Sequence, residues 1–599
     1  MNKTFLACWA ALLISASPAT TVASSLPAVT IGVEWPGASP QEVERELTQP
    51  IEEAVGKLPG VRSVRSQSRK GRSIVTVEFA PAHHRRVALR DVSNALTTIR
   101  ELPEDSERPV LSPIKPDALP LLWLVVHGSQ PVTQLSEVAQ KTVRPKLLTI
   151  SQVAGVELAG LHERILEVYL DPVRLAAFAM TASDVLQAIR KSRVDVPGAA
   201  IKSPSRRIVR SLGQPSTAED LGKIVILVRK EAPIFLRQVA AVTQERKIHG
   251  IARFNGKPAV GLALFSFSDD PAALVASVKK ALPGVRASLP EGVKLDVALD
   301  YQPGGQEALL VEVRFPPGTG LERANALLAR AENILTGLKD PLSKKAVIAS
   351  RWATLPVEAD RPRDGAVYVQ LVPARQRSWT SQEVSREVRR RLKELPGIQA
   401  SVWNLSEQGS RARADVVEAV LTGPDLEQLA RWSQRVQQKL SASEMVVDVV
   451  SDLRAGEPEM HVEVDREKAA RLGITIRQIN EVLQLALDGV VVESAGDDGV
   501  NLRVRMARAK PEGANLLEQI PVPAAGMMIP LSTLAHLRLI KGTPVIHRHN
   551  GWRSVTLRVH SARNIKEKKL EAACRGIAAE VYRELALPAS YRVAEVSHP

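Results

Sequence analysis

The chain has 599 residues, 44% hydrophobic and 24% charged, with a mean hydropathy of −0.06. That composition belongs to a globular protein long enough for about four domains of ~150 residues, and it excludes a low-complexity or collagenous chain. The formal charge of +15 would suit nucleic acid, an anionic surface or acidic ligands. The basic residues, however, are interleaved with Glu as on solvated helix faces. Clusters such as Arg62–Arg72 and Arg386–Arg391 lack aromatic neighbours, so no base-stacking nucleic-acid platform is expected.

The N-terminus reads as a secretory signal over residues 1–23. Lys3 precedes the apolar run FLACWAALLIS (Phe5 to Ser15), small residues follow up to Ser25, and cleavage fits after Ala19 or Ala23. Eleven apolar residues span only ~16 Å as a helix, against ~30 Å of bilayer core. An uncleaved short anchor is the alternative. Cys8 has no apolar run before it and is not read as a lipoprotein site. Removing the signal leaves Cys574 alone, so stability must come from packed cores, as suits a bacterial periplasmic protein. Other apolar runs, such as Leu119–Val126 and Ile224–Val228, are only strand-length, and the mature chain is not expected to span a membrane.

Val29–Trp35 alternates as a strand and turns at Pro36-Gly37. Ser39, Pro40 and Glu42 form the start signal of a helix over Pro40–Lys57, ended by Leu58-Pro59-Gly60. Val61–Ser68 and Ser73–Phe79 read as a hairpin around Lys70-Gly71, followed by a helix over Val87–Arg100. With the run Leu121–His127 this is the ferredoxin-like α+β order. The theme returns in Leu310–Phe315, a helix over Leu321–Leu338, Ala366–Val372, a helix over Ser381–Leu395, and Ile398–Trp403. Pro303-Gly304-Gly305 is the natural linker between the halves.

The two halves are copies. VYLDPVRLAAFAMTASDV (from Val168) matches VEVDREKAARLGITIRQI (from Val462), pairing Asp171 with Asp465 and Thr181 with Thr475 at a shift of 294. ARFNGKPAVGLAL (from Ala252) matches HRHNGWRSVTLRV (from His547), pairing Asn255-Gly256 with Asn550-Gly551 at a shift of 295. Each Asn-Gly reads as a β-hairpin turn. A near-constant shift over so long a stretch means one architecture used twice.

The segment Val33–Phe79 (VEWPGASPQEVERELTQPIEEAVGKLPGVRSVRSQSRKGRSIVTVEF) resembles the first porter subdomain of resistance–nodulation–division (RND) efflux transporters of the AcrB type. So do Asp465–Gly473, Gly489–Val492, Ile529–Leu534 and the pattern Arg548, Asn550, Gly551, Arg553. The resemblance implies tandem ferredoxin-like (βαββαβ-type) porter subdomains with inserted α+β docking subdomains. Their bounds would be 27–117 for the first porter subdomain, 118–166 with 250–303 for the second, 308–410 for the third, and 411–460 with 545–599 for the fourth. The docking inserts would be 167–249 and 461–544, and 304–307 would be a linker where the family has membrane helices. With those helices goes the family's intramembrane proton relay, so energised transport by this chain alone is not expected. The implied partners are two further copies in a homotrimer, a periplasmic adaptor, an outer-membrane channel, a separate inner-membrane permease and a small-molecule substrate. The alternatives are a free-standing periplasmic binding or sequestering protein and a non-functional relic.

Nothing in the sequence points to an enzyme or a cofactor; GxSxG and HExxH are absent. His547 and His549 share a strand face, but two ligands without a third do not make a metal site. His83-His84 reads as a solvated loop. Met180, Met445, Met460, Met506, Met527 and Met528 show no clustering beyond one adjacent pair, so soft-metal export is not expected. Aromatics are 4%, which argues against a greasy multidrug pocket. Phe178, Phe265 and Phe267 are weak candidates for a substrate cleft, with core packing the commoner role for such residues.

Overall fold

The computed structural model describes residues 27–597 except 100–101, 104, 113–119, 179, 193–196, 202–206, 211–216, 230–231, 267–270, 301–306, 317, 359–360, 363, 406–415, 454–458, 488, 493–500, 507–519, 525–526, 541, 543–544, 563–564 and 566. The signal-like N-terminus, Phe267 and the Pro303-Gly304-Gly305 linker lie outside the described residues. The fold is mixed α+β and divides into two compact units.

The larger unit holds the described residues of 27–161, 249–457 and 542–597. It is built on two composite antiparallel sheets. The first runs Arg592–Ser597, Val416–Thr422, Trp552–Ser561, Ile546–His549, Val61–Arg69, Arg72–Phe79, Ala28–Glu34, Val110–Ser112. The second runs Val293–Asp300, Leu122–Gly128, Lys257–Ser266, Gly250–Phe254, Ile348–Glu358, Gly365–Leu371, Ala308–Arg314, Gln399–Asn404. The two orders match strand for strand. Along each of these paths one half of the chain supplies four strands and the other half four; Val446–Ser451 adds to the first sheet beside Trp552–Ser561, and Val153–Ala159 and Arg361–Pro362 add to the second.

Each group of four strands carries its own pair of helices. Residues of Gln49–Val55 and Arg85–Leu96 pack with Val29, Ile31, Val75 and Val77 in one core. Leu321–Thr336 and Ser381–Lys393 cover the strands around Val311 and Val369. Leu426–Ser441 and Glu567–Glu584 close a core around Trp432 and Leu557. The helical run Val132–Leu148 and the helix Pro271–Arg286 lie over the strands around Leu124 and Leu262. The repeated residues of the sequence do local work here. Asn255 and Asn550 take φ of 50° and 48°, and Gly256 and Gly551 follow at 80° and 82°. This is the doubly left-handed turn that a tight hairpin needs.

Two expectations need correction. The strand closing the first group is Val110–Ser112, paired with Ala28–Glu34. The run expected to close it, Leu122–Gly128, belongs to the other composite sheet, between Lys257–Ser266 and Val293–Asp300. The helix expected over Pro40–Lys57 is not uniform. It is α-helical over Pro40–Val43 and Gln49–Val55 with a π turn over Glu44–Thr48, where the Gln49 N–H donates to the Glu44 carbonyl. Pro50 has no N–H to donate and would crowd the carbonyl four residues back, so the helix widens there. The other π turn, Ala139–Val143, also precedes a proline, Pro145.

The smaller unit holds 162–248 and 458–541. Its main sheet runs Ala240–Ile248, His162–Leu170, Asn501–Met506, Val490–Val492. Asn501–Met506 lies parallel to His162–Leu170, so the two halves of the chain share this sheet as well. The Arg503 guanidinium pairs with the buried Glu167 carboxylate across that join. The repeated Asp and Thr residues are helix caps. Asp171 accepts from the Val173 and Arg174 N–H groups, and Asp465 from the Lys468 N–H. Thr181 forms a reciprocal cap with Asp184, and Thr475 the same cap with Gln478.

Candidate functional site

The joins within the larger unit are where its unusual side chains gather. At the first, Ile546–His549 pairs with Val61–Arg69. The Asn550 N–H donates to the Val64 carbonyl at 2.8 Å and its Oδ1 accepts from the Val64 N–H at 2.9 Å. At the second, Gly250–Phe254 pairs with Ile348–Glu358. Here the Asn255 N–H donates to the Arg351 carbonyl at 2.9 Å and its Oδ1 accepts from the Arg351 N–H at 3.0 Å. The turn residue of each hairpin is therefore also the hook that holds it to the other half.

Behind each hook sits an arginine clamp. Arg548 donates from Nε to Glu52 and from Nη1 to Glu44, both at 2.9 Å. Arg553 donates from Nε and Nη2 to Glu44 at 2.9 and 2.6 Å, and Ser66 donates to Glu52 at 2.5 Å. Glu44 and Glu52 are both buried. Burial pushes the Glu44 carboxyl up, but the hydrogen bonds and charges of Arg553 and Arg548 outweigh it and hold the group below its usual range. For Glu52 burial wins, against Arg548 and Ser66, and the carboxyl is raised. At the other join Arg253, the copy of Arg548, donates from Nε to Glu332 at 2.7 Å and from Nη1 to Asn325.

The helix geometry explains the spacing. Seven residues of ideal α-helix leave two side chains about 20° apart, and eight leave them about 80° apart. Asn325 and Glu332 are seven apart on the regular helix Leu321–Thr336. Glu44 and Glu52 are eight apart, and the π turn between them absorbs the extra residue. Both pairs thus face their arginine.

The two composite sheets meet at two seams. At one, the Trp403 indole N–H donates to Glu312 at 2.8 Å, and the Trp403 ring lies 4.4 Å from the His560 ring on the other sheet. Arg314 Nη1 also crosses, donating to the Ser451 carbonyl at 3.2 Å. Arg558 lies near Glu312 but donates to Glu418 at 2.7 Å. Burial pushes the Glu312 carboxyl up to about 7, with Arg314, Trp403 and Arg558 pulling back. Burial, helped by Arg389 and Arg558, holds the His560 ring down at about 3. At the other seam Glu157, also buried, faces Arg144 and, from the opposite sheet, Arg72; burial pushes its carboxyl up to about 8.

The residues singled out in the sequence fall elsewhere. Phe178 packs against the core of the smaller unit and Phe265 is buried in a core of the larger one. The aromatics that converge are instead Trp123 with Trp352 and Tyr368, each at 5.5 Å between rings. Gly261 makes room for them: a Cβ there would lie 2.2 Å from Trp352 Cζ2. His83 is not a solvated loop residue, since its ring stacks on Phe79 at 4.7 Å. His547 lies beside Gln67 and Asp452, and His549 beside Asn550. Among the described residues no group of three or more His, Cys, Asp or Glu is placed to hold a metal ion. Cys574 is buried, and burial pushes its thiol up to about 11, which makes it a poor nucleophile. The arrangement is one of packed parts with charge concentrated where they join.

Comparison with known proteins agrees with this. The X-ray crystal structure of a heavy metal efflux pump (crystal form II) superposes with a TM-score of 0.79 over 96% of this chain and 80% of that one. At 16% identity the likeness is one of fold. No helix among the described residues is long and apolar enough to cross a membrane. The family model of the AcrB/AcrD/AcrF family matches twice, over residues 11–306 and again over 304–595, so the duplication seen in both sequence and sheets is the duplication of that family, and the chain belongs to it as a member of the RND efflux transporters.

Proposed function

We propose that the chain serves small-molecule efflux as a periplasmic porter and docking protein of RND type, without a proton relay of its own. The observation that carries this is the strand-for-strand match of the two composite sheets. Each half reads as two ferredoxin-like (βαββαβ) porter subdomains, and the strand–helix–strand–strand–helix–strand order of 28–112 and 308–404 supports that reading. The bounds are those given above, 27–117, 118–166 with 250–303, 308–410, and 411–460 with 545–599. The inserts 167–249 and 461–544 are the docking subdomains, and export by the N-terminal signal places the chain in the periplasm. It carries out no bond chemistry. Energy comes from a separate inner-membrane permease, and substrate leaves through an adaptor and an outer-membrane channel.

A homotrimer is part of this reading, and one asymmetry supports an assembly of copies. The hairpin Val490–Val492 with Asn501–Met506 completes the sheet edge at His162–Leu170. Its copy, Pro197–Ile201 with Arg207–Arg210, pairs only with itself among the described residues. Glu459–Val464, the copy of His162–Leu170, likewise has a single partner strand among the described residues. A neighbouring chain can supply the pairing that each lacks. For the cargo, the related heavy metal pump raises a metal, but the methionines argue against it here: Met180 and Met506 are buried in one hydrophobic core.

The test is in-cell crosslinking of the tagged mature protein, purification from the periplasm and mass spectrometry. Recovery of an adaptor, channel or permease supports the reading. Recovery of self-copies alone overturns the efflux role in favour of a free-standing binder or a relic. A monomer by light scattering at micromolar concentration overturns the trimer.

A further inference from the structure

The seam between the composite sheets holds a carboxyl group that, among the described residues, has cations near it but none in a salt bridge with it. Glu312 is buried at 4% exposure, and the donor that reaches it is neutral, the Trp403 indole. The cations nearby have nearer acids. Arg558 has Glu418 at 2.7 Å, and Arg314 has Asp364 at 3.7 Å. Arg389, on the helix Ser381–Lys393, bears on His560 and donates to the Val402 carbonyl. Tyr368, behind Glu312, is buried and sees the second such acid, Glu157. A carboxyl in this position holds a proton more tightly than one in water. Its hydrogen-bonded partner, Trp403, is the residue that touches the opposite sheet through His560.

We propose that Glu312 is a proton-binding site coupled to the seam: closure of the Trp403–His560 contact takes up a proton at Glu312, and separation of the two sheets hydrates the carboxyl and releases it. Glu157 places a second carboxyl at the other seam. This inference rests on the seam itself and not on which molecule the protein moves.

The sign follows from linkage. Glu312 is raised from 4.5 to about 7, so its contribution to closure is complete below its ordinary value and is lost as pH rises through neutrality. His560 is lowered from 6.5 to about 3 and acts oppositely: its contribution is complete above its ordinary value and is lost as pH falls. The two oppose each other below the ordinary value of His560, and above it Glu312 acts alone.

The experiment is 19F NMR of the full chain labelled with 5-fluorotryptophan, the Trp403 resonance being assigned by W403F. Between about pH 6 and pH 8 the Trp403 resonance is expected to titrate with a midpoint near neutrality, and in E312Q to lose that titration. A Trp403 resonance that stays flat in the folded wild type overturns the proposal, and this reading needs no variant to fold. So does an unchanged titration in E312Q. Hydrogen exchange, corrected for intrinsic rates, then reports opening at Gln399–Asn404 and Trp552–Ser561. The ratio of wild-type to E312Q opening is expected to rise about tenfold from pH 6 to pH 8. A constant ratio overturns the coupling.

Discussion

The two arginine clamps do the same work with different residues. The one at Arg548 uses two arginines and two glutamates; the one at Arg253 uses one arginine, one glutamate and Asn325. Where the first has Glu44, the second has a neutral amide. Where the first has Arg553, the second has Pro258, at the same place in the hairpin register. Each clamp is neutral overall. The difference teaches that duplication preserved the charge balance and the facing of the helix, and let identities change together in pairs. The π turn is the same lesson in backbone: the extra residue between Glu44 and Glu52 is absorbed so that both still face the hairpin.

The comparison is broken most severely by removing the arginine common to both. Arg548→Ala strands the Glu52 carboxylate and part of the Glu44 site, and Arg253→Ala strands Glu332. Each should cost about 3–5 kcal/mol in urea unfolding, as for a buried pair losing one partner. Next comes conversion of one clamp toward the other. Glu44→Asn and Arg553→Met should each destabilise alone, while the double variant should recover about 1–3 kcal/mol of the expected total. A double-mutant cycle with no coupling would refute the charge-balance account. The hooks come third, with Asn255→Ala and Asn550→Ala each costing about 1–2 kcal/mol through the strained turn and the lost bond. Similar losses at both sites would show that the hooks, unlike the clamps, are equivalent.

The smallest effects sharpen the picture. Deleting Arg45, an exposed residue of the π turn, together with Pro50→Ala should restore a regular helix with the seven-residue spacing of its copy. Stability should then change by less than about 1 kcal/mol, whereas the same deletion outside the turn would rotate Glu52 away. Acid should also tell the clamps apart. Glu44 is held low, so its contribution is present above its ordinary value and is lost as pH falls below it. The Glu44→Asn, Arg553→Met double variant should therefore lose less stability on acidification than the wild type, by thermal unfolding at several pH values.

Much of this architecture was legible in the sequence because it is locally encoded. The Asn-Gly turns and the caps Asp171, Asp465, Thr181 and Thr475 are local signals, and they repeat because turns and caps tolerate few substitutes, although the hook each Asn also makes is not local. The clamps were not legible. Arg548 meets Glu44 across 504 residues, and no periodicity reports such a pairing. The strand Ile348–Glu358 carries no alternating signal, since Trp352 to Leu355 are buried on both faces. Phe178 and Phe265 each pack into a core, and residue type alone does not separate a core phenylalanine from a cleft one. Glu312 and Glu157 looked like any strand glutamate; only the seams make them unusual.

The hooks set an order of events for a newly made chain. Val64 receives its partner, Asn550, from 486 residues downstream. At a synthesis rate of about 5–20 residues per second, the edge of Val61–Arg69 stands open for roughly 25–100 s before its neighbour exists. During that time its unpaired backbone is a ready template for any extended segment nearby.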